Sequence, residues 1–132
     1  MKEESLTKEI TQSRKERPGT SLKKKNMMLK ITAFVDEHLQ EQLTLKRIAA
    51  HCGVSVSTVT QMFQHQSDMT FHGFVTMRRM VLAEELIRQG VPLETVGKQV
   101  GYHDHSTFYR AFRQYFRKSP REFRNAIAES EA

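Results

Sequence analysis

Two stretches decide the fold: LTLKRIAAHCGVSVSTVTQMF at residues 43–63 and VPLETVGKQVGYHDHSTFYRAF at residues 91–112. Each reads as a short helix with apolar residues at three- and four-residue spacings, a glycine at a turn, a polar capping residue and a second short helix. Gly53 and Gly101 take matching places, Ser55 and Asp104 are the caps, and Met62–Phe63 and Ala111–Phe112 close the two units. Two short helices about a glycine turn form a helix-turn-helix, whose second helix suits the major groove of DNA.

The flanking sequence supplies the remaining elements. From Met27 the apolar spacing turns helical, with Met28, Ile31, Phe34, Val35, His38 and Leu39 on one stripe. Thr44 caps helix 2, whose buried stripe is Leu45, Ile48, Ala49 and Cys52, and Ser55 caps helix 3 over 56–65. Thr70 caps a longer helix over 71–88 that packs Phe71, Phe74, Val75, Arg78, Leu82, Ala83 and Leu86, and Gly90 stops it. Helix 5 starts at Pro92 and buries Leu93, Val96 and Val100; helix 6 runs over 105–115 and buries Phe108, Ala111 and Phe112. Ser119–Pro120–Arg121–Glu122 combines a cap, a proline in the first turn and a capping-box glutamate, so helix 7 starts there and docks Phe123 and Ile127.

The expected fold class is therefore all-α: seven helices forming two helix-turn-helix subdomains joined by a long linker helix. The divisions are a basic, disordered tail over 1–26, a first subdomain over 27–69, the linker helix over 70–89, a second subdomain over 90–128 and a flexible C-terminus over 129–132.

Composition narrows the partners. The 132 residues carry a formal net charge of +6, which favours a polyanion. Residues 1–30 hold 9 basic and 4 acidic residues, whereas residues 31–132 hold 12 and 11. Within that nearly neutral body Arg110, Arg113, Arg117, Lys118, Arg121 and Arg124 gather late, and Glu122 is the lone acid of residues 105–125. The second unit is thus expected to dominate electrostatic contact. Lys23–Lys24–Lys25 reads equally as a phosphate contact or a solubilising patch. A single cysteine, Cys52, excludes an internal disulfide and fits a reducing compartment. No apolar run reaches the roughly 20 residues of a membrane span, and no export segment opens the chain, so the expected location is the cytoplasm.

Catalysis and metal binding find little support. The six histidines show no zinc-ligand spacing, His51 and Cys52 are adjacent, and Cys52 reads as a core residue beneath helix 3. No phosphate loop, acid dyad or Ser-His-Asp order is present. The expectation is no enzyme activity and no cofactor.

Several ordered pieces give the chain a resemblance to the DNA-binding domain of the AraC/XylS family of bacterial transcription regulators. They are Met62–Phe63; Thr70–Phe71, Phe74, Arg79 and Leu82–Ala83; Val100–Gly101–Tyr102; Ser106, Phe108, Arg110 and Phe112; Tyr115–Phe116; and Ser119–Pro120, Phe123 and Arg124. The resemblance covers about 28–125. It implies a monomer bound to an asymmetric double-stranded DNA site, with two recognition helices in successive major grooves, and contact with RNA polymerase in activating transcription. It also points to a small stand-alone member or a fragment of a larger regulator. There are departures: Asp68 and Arg117 stand where the family has glycine after each recognition helix, Gly97 replaces an alanine, and Gln64 a lysine. Gly97 is expected to weaken helix 5 by up to about 1 kcal/mol.

By the same resemblance Ser57, Thr60 and Gln61 of helix 3 and His105, Ser106, Tyr109 and Arg110 of helix 6 fall on the base-reading faces. Gln61 suits adenine, Val56 a thymine methyl, and the Arg110 fork suits guanine O6 and N7. Arg110 as a phosphate clamp or as a partner of Asp104 stays open. Lys46, Arg47, Arg113, Lys118 and Arg121 are the phosphate candidates, which position the duplex and do not specify it. Arg79 resembles the family's linker-helix arginine, either a brace or a DNA contact. The alternative function is a protein-interaction adaptor, binding RNA polymerase or a partner regulator, with weak non-specific DNA affinity; the weakly charged first unit motivates it.

Overall fold

The computed structural model describes residues 18–131, with side chains from Lys25 onward. Most of the tail expected over 1–26, with the Lys23 and Lys24 side chains, lies outside the described residues. Among those residues there are seven helices and no strand: α1 (Pro18–Glu37), α2 (Leu45–Cys52), α3 (Val56–Gln66), α4 (Phe71–Arg88), α5 (Leu93–Gln99), α6 (His105–Phe116) and α7 (Pro120–Glu131). Two boundaries differ from the sequence reading. α1 begins at Pro18 and not at Met27, because a proline costs nothing in a first helical turn. α7 continues to Glu131, so residues 129–131 are helical.

The chain divides into two compact units. The first combines residues up to His38 with Leu43–Val75; the second combines Leu39–Gln42 with Thr76–Ala132. The continuous helix α4 thus contributes residues to both.

In the first unit Ile31, Val35, Ile48, Ala49, Val59, Met62, Phe63, Phe71, Phe74 and Val75 are buried. The Phe63 ring sits 5.9 Å from Phe71 and 5.5 Å from Phe74. The local signals act as read. Thr44 accepts from the Arg47 N–H at 3.1 Å, Ser55 from the Thr58 N–H at 3.1 Å, and Thr70 from the Gly73 N–H at 3.1 Å. Each side chain satisfies a backbone donor that the first helical turn leaves unpaired. Gly53, at φ 69°, closes α2 through its N–H to the Ala50 carbonyl, and the Val54 N–H reaches the Ala49 carbonyl at 3.0 Å. Cys52 is half-buried at the end of α2, not in the core, and burial pushes its thiol pKa up.

In the second unit Met80, Ala83, Ile87, Val96, Val100, Phe108 and Phe112 form the core. Leu82, Leu86, Phe116, Phe123 and Ile127 pack around it, half-buried. The sequence reading missed Met80 and Ile87 and placed Arg78, Leu82 and Leu86 on the packed side, where they are only half-buried. The turn at Gly101 repeats the one at Gly53: the Tyr102 N–H donates to the Gly97 carbonyl at 2.8 Å. Asp104 accepts from the Thr107 N–H at 2.8 Å, and Ser119 and Glu122 exchange two hydrogen bonds at 3.1 and 3.0 Å as a capping box. Arg124 is held within the unit by the Val91 carbonyl at 2.8 Å.

Candidate nucleic-acid interface

α6 has two faces because its apolar residues recur at helical spacing. Phe108 and Phe112 are fully buried, and Ala111 and Phe116 flank them. The opposite face is therefore forced outward, and His105, Ser106, Tyr109, Arg110 and Arg113 are all exposed. The His105 ring lies 6.1 Å from that of Tyr109, tilted 53° to it, so the two rings are neighbours near the helix start. The Asp104 carboxylate caps the helix, and hydrogen bonds from Thr107, reinforced by the charge of Arg110, hold its pKa below the usual value. Its hydrogen bond is spent on the backbone, and no Asp104–Arg110 ion pair forms among the described residues.

The C-terminal half of this face is basic. Arg110, Arg113, Gln114 and Arg117 line one open depression of about 430 Å³. Gln114 and Arg117 were not among the sequence candidates. They follow Arg110 by four and seven residues, a relation visible once α6 is carried through Phe116. Arg113 reaches Glu122 at 3.8 Å, but both side chains are more than 60 % exposed, so this pair holds the arginine only weakly. Lys118 and Arg121 are exposed beside the start of α7.

α3 follows the same logic with different chemistry. Val59, Met62 and Phe63 are buried, leaving Val56, Ser57 and Gln61 exposed; Val56 is 41 % accessible. Gln61 Nε2 leans toward Ser57 Oγ at 3.5 Å. Thr60 is half-buried and, with Leu45, Phe63, Gln64, Met69 and His72, borders a mainly apolar depression of about 480 Å³. No Lys or Arg lies on α3. Of the two phosphate candidates on α2, Lys46 is exposed, whereas Arg47 is half-buried with its guanidinium 5.4 Å above the Phe34 ring.

A helix-turn-helix domain family model matches residues 39–126. The chain belongs to the AraC/XylS family. SoxS of Escherichia coli K12 is 29% identical over 98 residues, which cover 74% of this chain and 92% of SoxS. PocR of Salmonella typhimurium is 28% identical over 104 residues, and there the chain spans 34% of the relative's length. A DNA-binding transcriptional dual regulator of Escherichia coli K-12 superposes with a TM-score of 0.72 at 26% identity, covering 78% of this chain and 93% of that one. The DNA-binding domain of AdpA, solved in complex with a target DNA, shares the fold with a TM-score of 0.70 at 21% identity, covering 77% and 93%. The chain is thus a DNA-binding transcription regulator of the AraC type.

The AraC-type departures have local physical readings. α3 ends at an extended Ser67, and Asp68 does not adopt the left-handed conformation expected of a glycine substitute. Arg117 does, at φ 64°, and it is the one non-glycine residue with positive φ among those described. Arg79 serves as an internal brace. Its Nε and Nη2 donate to the Leu39 carbonyl at 3.2 and 3.1 Å, Nη2 also reaches the Glu41 carbonyl at 3.2 Å, and the guanidinium stands 5.6 Å over the Tyr102 ring. All of these groups lie in the second unit.

His38 and His51 both lie against Phe34, at 4.1 and 4.2 Å between ring centroids, His38 stacked and His51 tilted. Among the described residues no group of His, Cys, Asp and Glu is placed to hold a metal ion. Nor is any described helix long and apolar enough to cross a membrane.

Proposed function

We propose that this regulator reads double-stranded DNA with α3 and α6 in successive major grooves. In this reading it binds an asymmetric site as a monomer and activates transcription through contact with RNA polymerase. The observation that carries the proposal is the outward face of α6, where Tyr109 and Arg110 project from a helix anchored by Phe108 and Phe112. Arg110 is the principal reader, donating two hydrogen bonds to guanine O6 and N7, worth about 1–3 kcal/mol of discrimination. His105, Ser106 and Tyr109 read adjacent bases. On α3 the readers are Ser57, Thr60 and Gln61, with Gln61 directed to adenine. Lys46, Arg47, Arg113, Lys118 and Arg121 position the backbone; Arg47 first has to leave Phe34.

The test is selection of bound sequences from random duplex, repeated with R110A. The expected result is two preferred blocks about one helical turn apart, of which R110A relaxes one and spares the other. Equal weakening at every sequence assigns Arg110 to the phosphates.

A second reading, the protein-interaction adaptor, draws on α3, whose exposed face lacks a cation and adjoins the apolar depression around Met69. Under that reading duplex binding shows no sequence preference, and a protein partner binds with little dependence on salt. A steep salt dependence with a preferred sequence excludes it.

A further inference from the structure

The geometry points to Arg117, which ends α6 in a left-handed conformation that glycine usually takes, as a DNA-backbone contact, an inference that rests on the DNA-binding reading above. α6 ends in a left-handed cap: Arg117 sits at φ 64°, and its N–H donates to the Arg113 carbonyl at 2.8 Å. Glycine adopts this geometry freely, whereas a side chain crowds the following carbonyl. Arginine is thus a costly choice here, and packing does not explain it, because the residue is exposed. What the side chain does is complete the depression that Arg110, Arg113 and Gln114 begin, so that the cationic row runs from Arg110 to the end of the recognition helix. Glu122, the lone acid of residues 105–125, is engaged with Ser119 and Arg113. A guanidinium at the end of such a row suits a phosphate oxygen of the duplex flanking the bases read by Arg110. Strain retained at an exposed position beside a binding face is a mark of use.

A local alternative exists: a cation at a helix C-terminus is favourable to the helix dipole. Arg117→Gly and Arg117→Lys separate the two. Denaturant unfolding and duplex binding are measured on the full chain from about 50 to 200 mM salt, with both a selected and a scrambled duplex. Arg117→Gly is expected to unfold at higher denaturant, yet to bind both duplexes more weakly by the same factor. Its plot of log affinity against log salt is expected to flatten by about 0.9, the share of one phosphate. Arg117→Lys keeps the slope. An unchanged slope in Arg117→Gly overturns the inference, and so does a loss confined to the selected duplex, which makes Arg117 a base reader. If the unaltered chain shows no salt-dependent duplex binding, the DNA-binding reading itself falls and this inference with it.

Discussion

Gly97 and Phe108 show how a residue that looks like a defect in the sequence is required by packing. A Cβ built on Gly97 lies 2.9 Å from the Phe108 Cβ and 3.0 Å from its Cγ, the rigid base of the side chain. In the first unit the matching positions carry other sizes, Ala49 standing where Gly97 does and Val59 where Phe108 does, both buried. Gly97→Ala gains about 1 kcal/mol of helix propensity but overpacks the core by about 1–3 kcal/mol. The expected outcome is net loss of stability in urea unfolding; a gain of the size that helix propensity alone gives would remove the contact as the cause. The turn glycines make a parallel contrast. Gly53, at φ 69°, has open space around a would-be Cβ, so Gly53→Ala costs only the left-handed strain, about 1–2 kcal/mol. At Gly101 the added carbon strikes the Leu39 carbonyl oxygen and comes within 2.8 Å of Arg79 Nε. Gly101→Ala therefore displaces the Arg79 brace as well, and its loss by the same urea assay is expected to exceed that of Gly53→Ala clearly. The glycine pair is legible from the sequence; the carbonyl packed against one of them is not, because it arrives from more than sixty residues upstream in the chain.

Helix starts were readable because capping chemistry is local. Thr44, Ser55, Thr70, Asp104 and Ser119 all cap as their side chains dictate. Helix interiors were less readable where one element serves two cores. α4 buries Phe71, Phe74 and Val75 in its first part and Met80, Ala83 and Ile87 in its second, so a single stripe drawn through it selects Leu82 and Leu86 instead. The start of α1 was missed because residues 18–26 lack apolar periodicity, and Pro18–Gly19 reads as a break when a proline can open a helix. The caps of α6 and α7 give this scale its prediction. Asp104 and Glu122 are both held below their usual carboxylate pKa by hydrogen bonds from Thr107 and Ser119. A depressed folded value means the stabilisation is complete above the unfolded pKa and disappears as pH falls through the folded one. The contribution of these two caps is thus expected to be constant from neutral pH to about 5 and to decline below about 4. Asp104→Asn, which keeps an acceptor for the cap, is expected to flatten the acid limb of a thermal-melting series. An acid limb identical to that of the unaltered chain would show that Asp104 contributes nothing to it.

Charge is distributed so unevenly over the molecule that α3 and α6 are expected to contribute to DNA binding by different means. α6 and the start of α7 carry Arg110, Arg113, Arg117, Lys118 and Arg121, while α3 offers Val56, Ser57 and Gln61. The sequence alone located this asymmetry, since it depends on residue type. It could not tell that Arg47 packs on Phe34, that Thr60 turns half inward, or that Gln114 joins the α6 face. In binding terms, phosphate contacts set the salt dependence and base contacts set the sequence preference. The triple variant R113A/K118A/R121A is therefore expected to bind every duplex more weakly, with the salt slope reduced by up to about 2.7 at 0.9 per lost contact. Its selected sequence should keep both blocks. S57A/Q61A is expected to do the opposite, leaving the slope intact while blurring the block that R110A spares. Breaking the Arg113–Glu122 pair adds little to the first result, because both groups are largely in solvent. If instead the triple variant lost one block and kept its slope, the cations of α6 and α7 would be the readers, and the division of labour between the two helices would have to be redrawn.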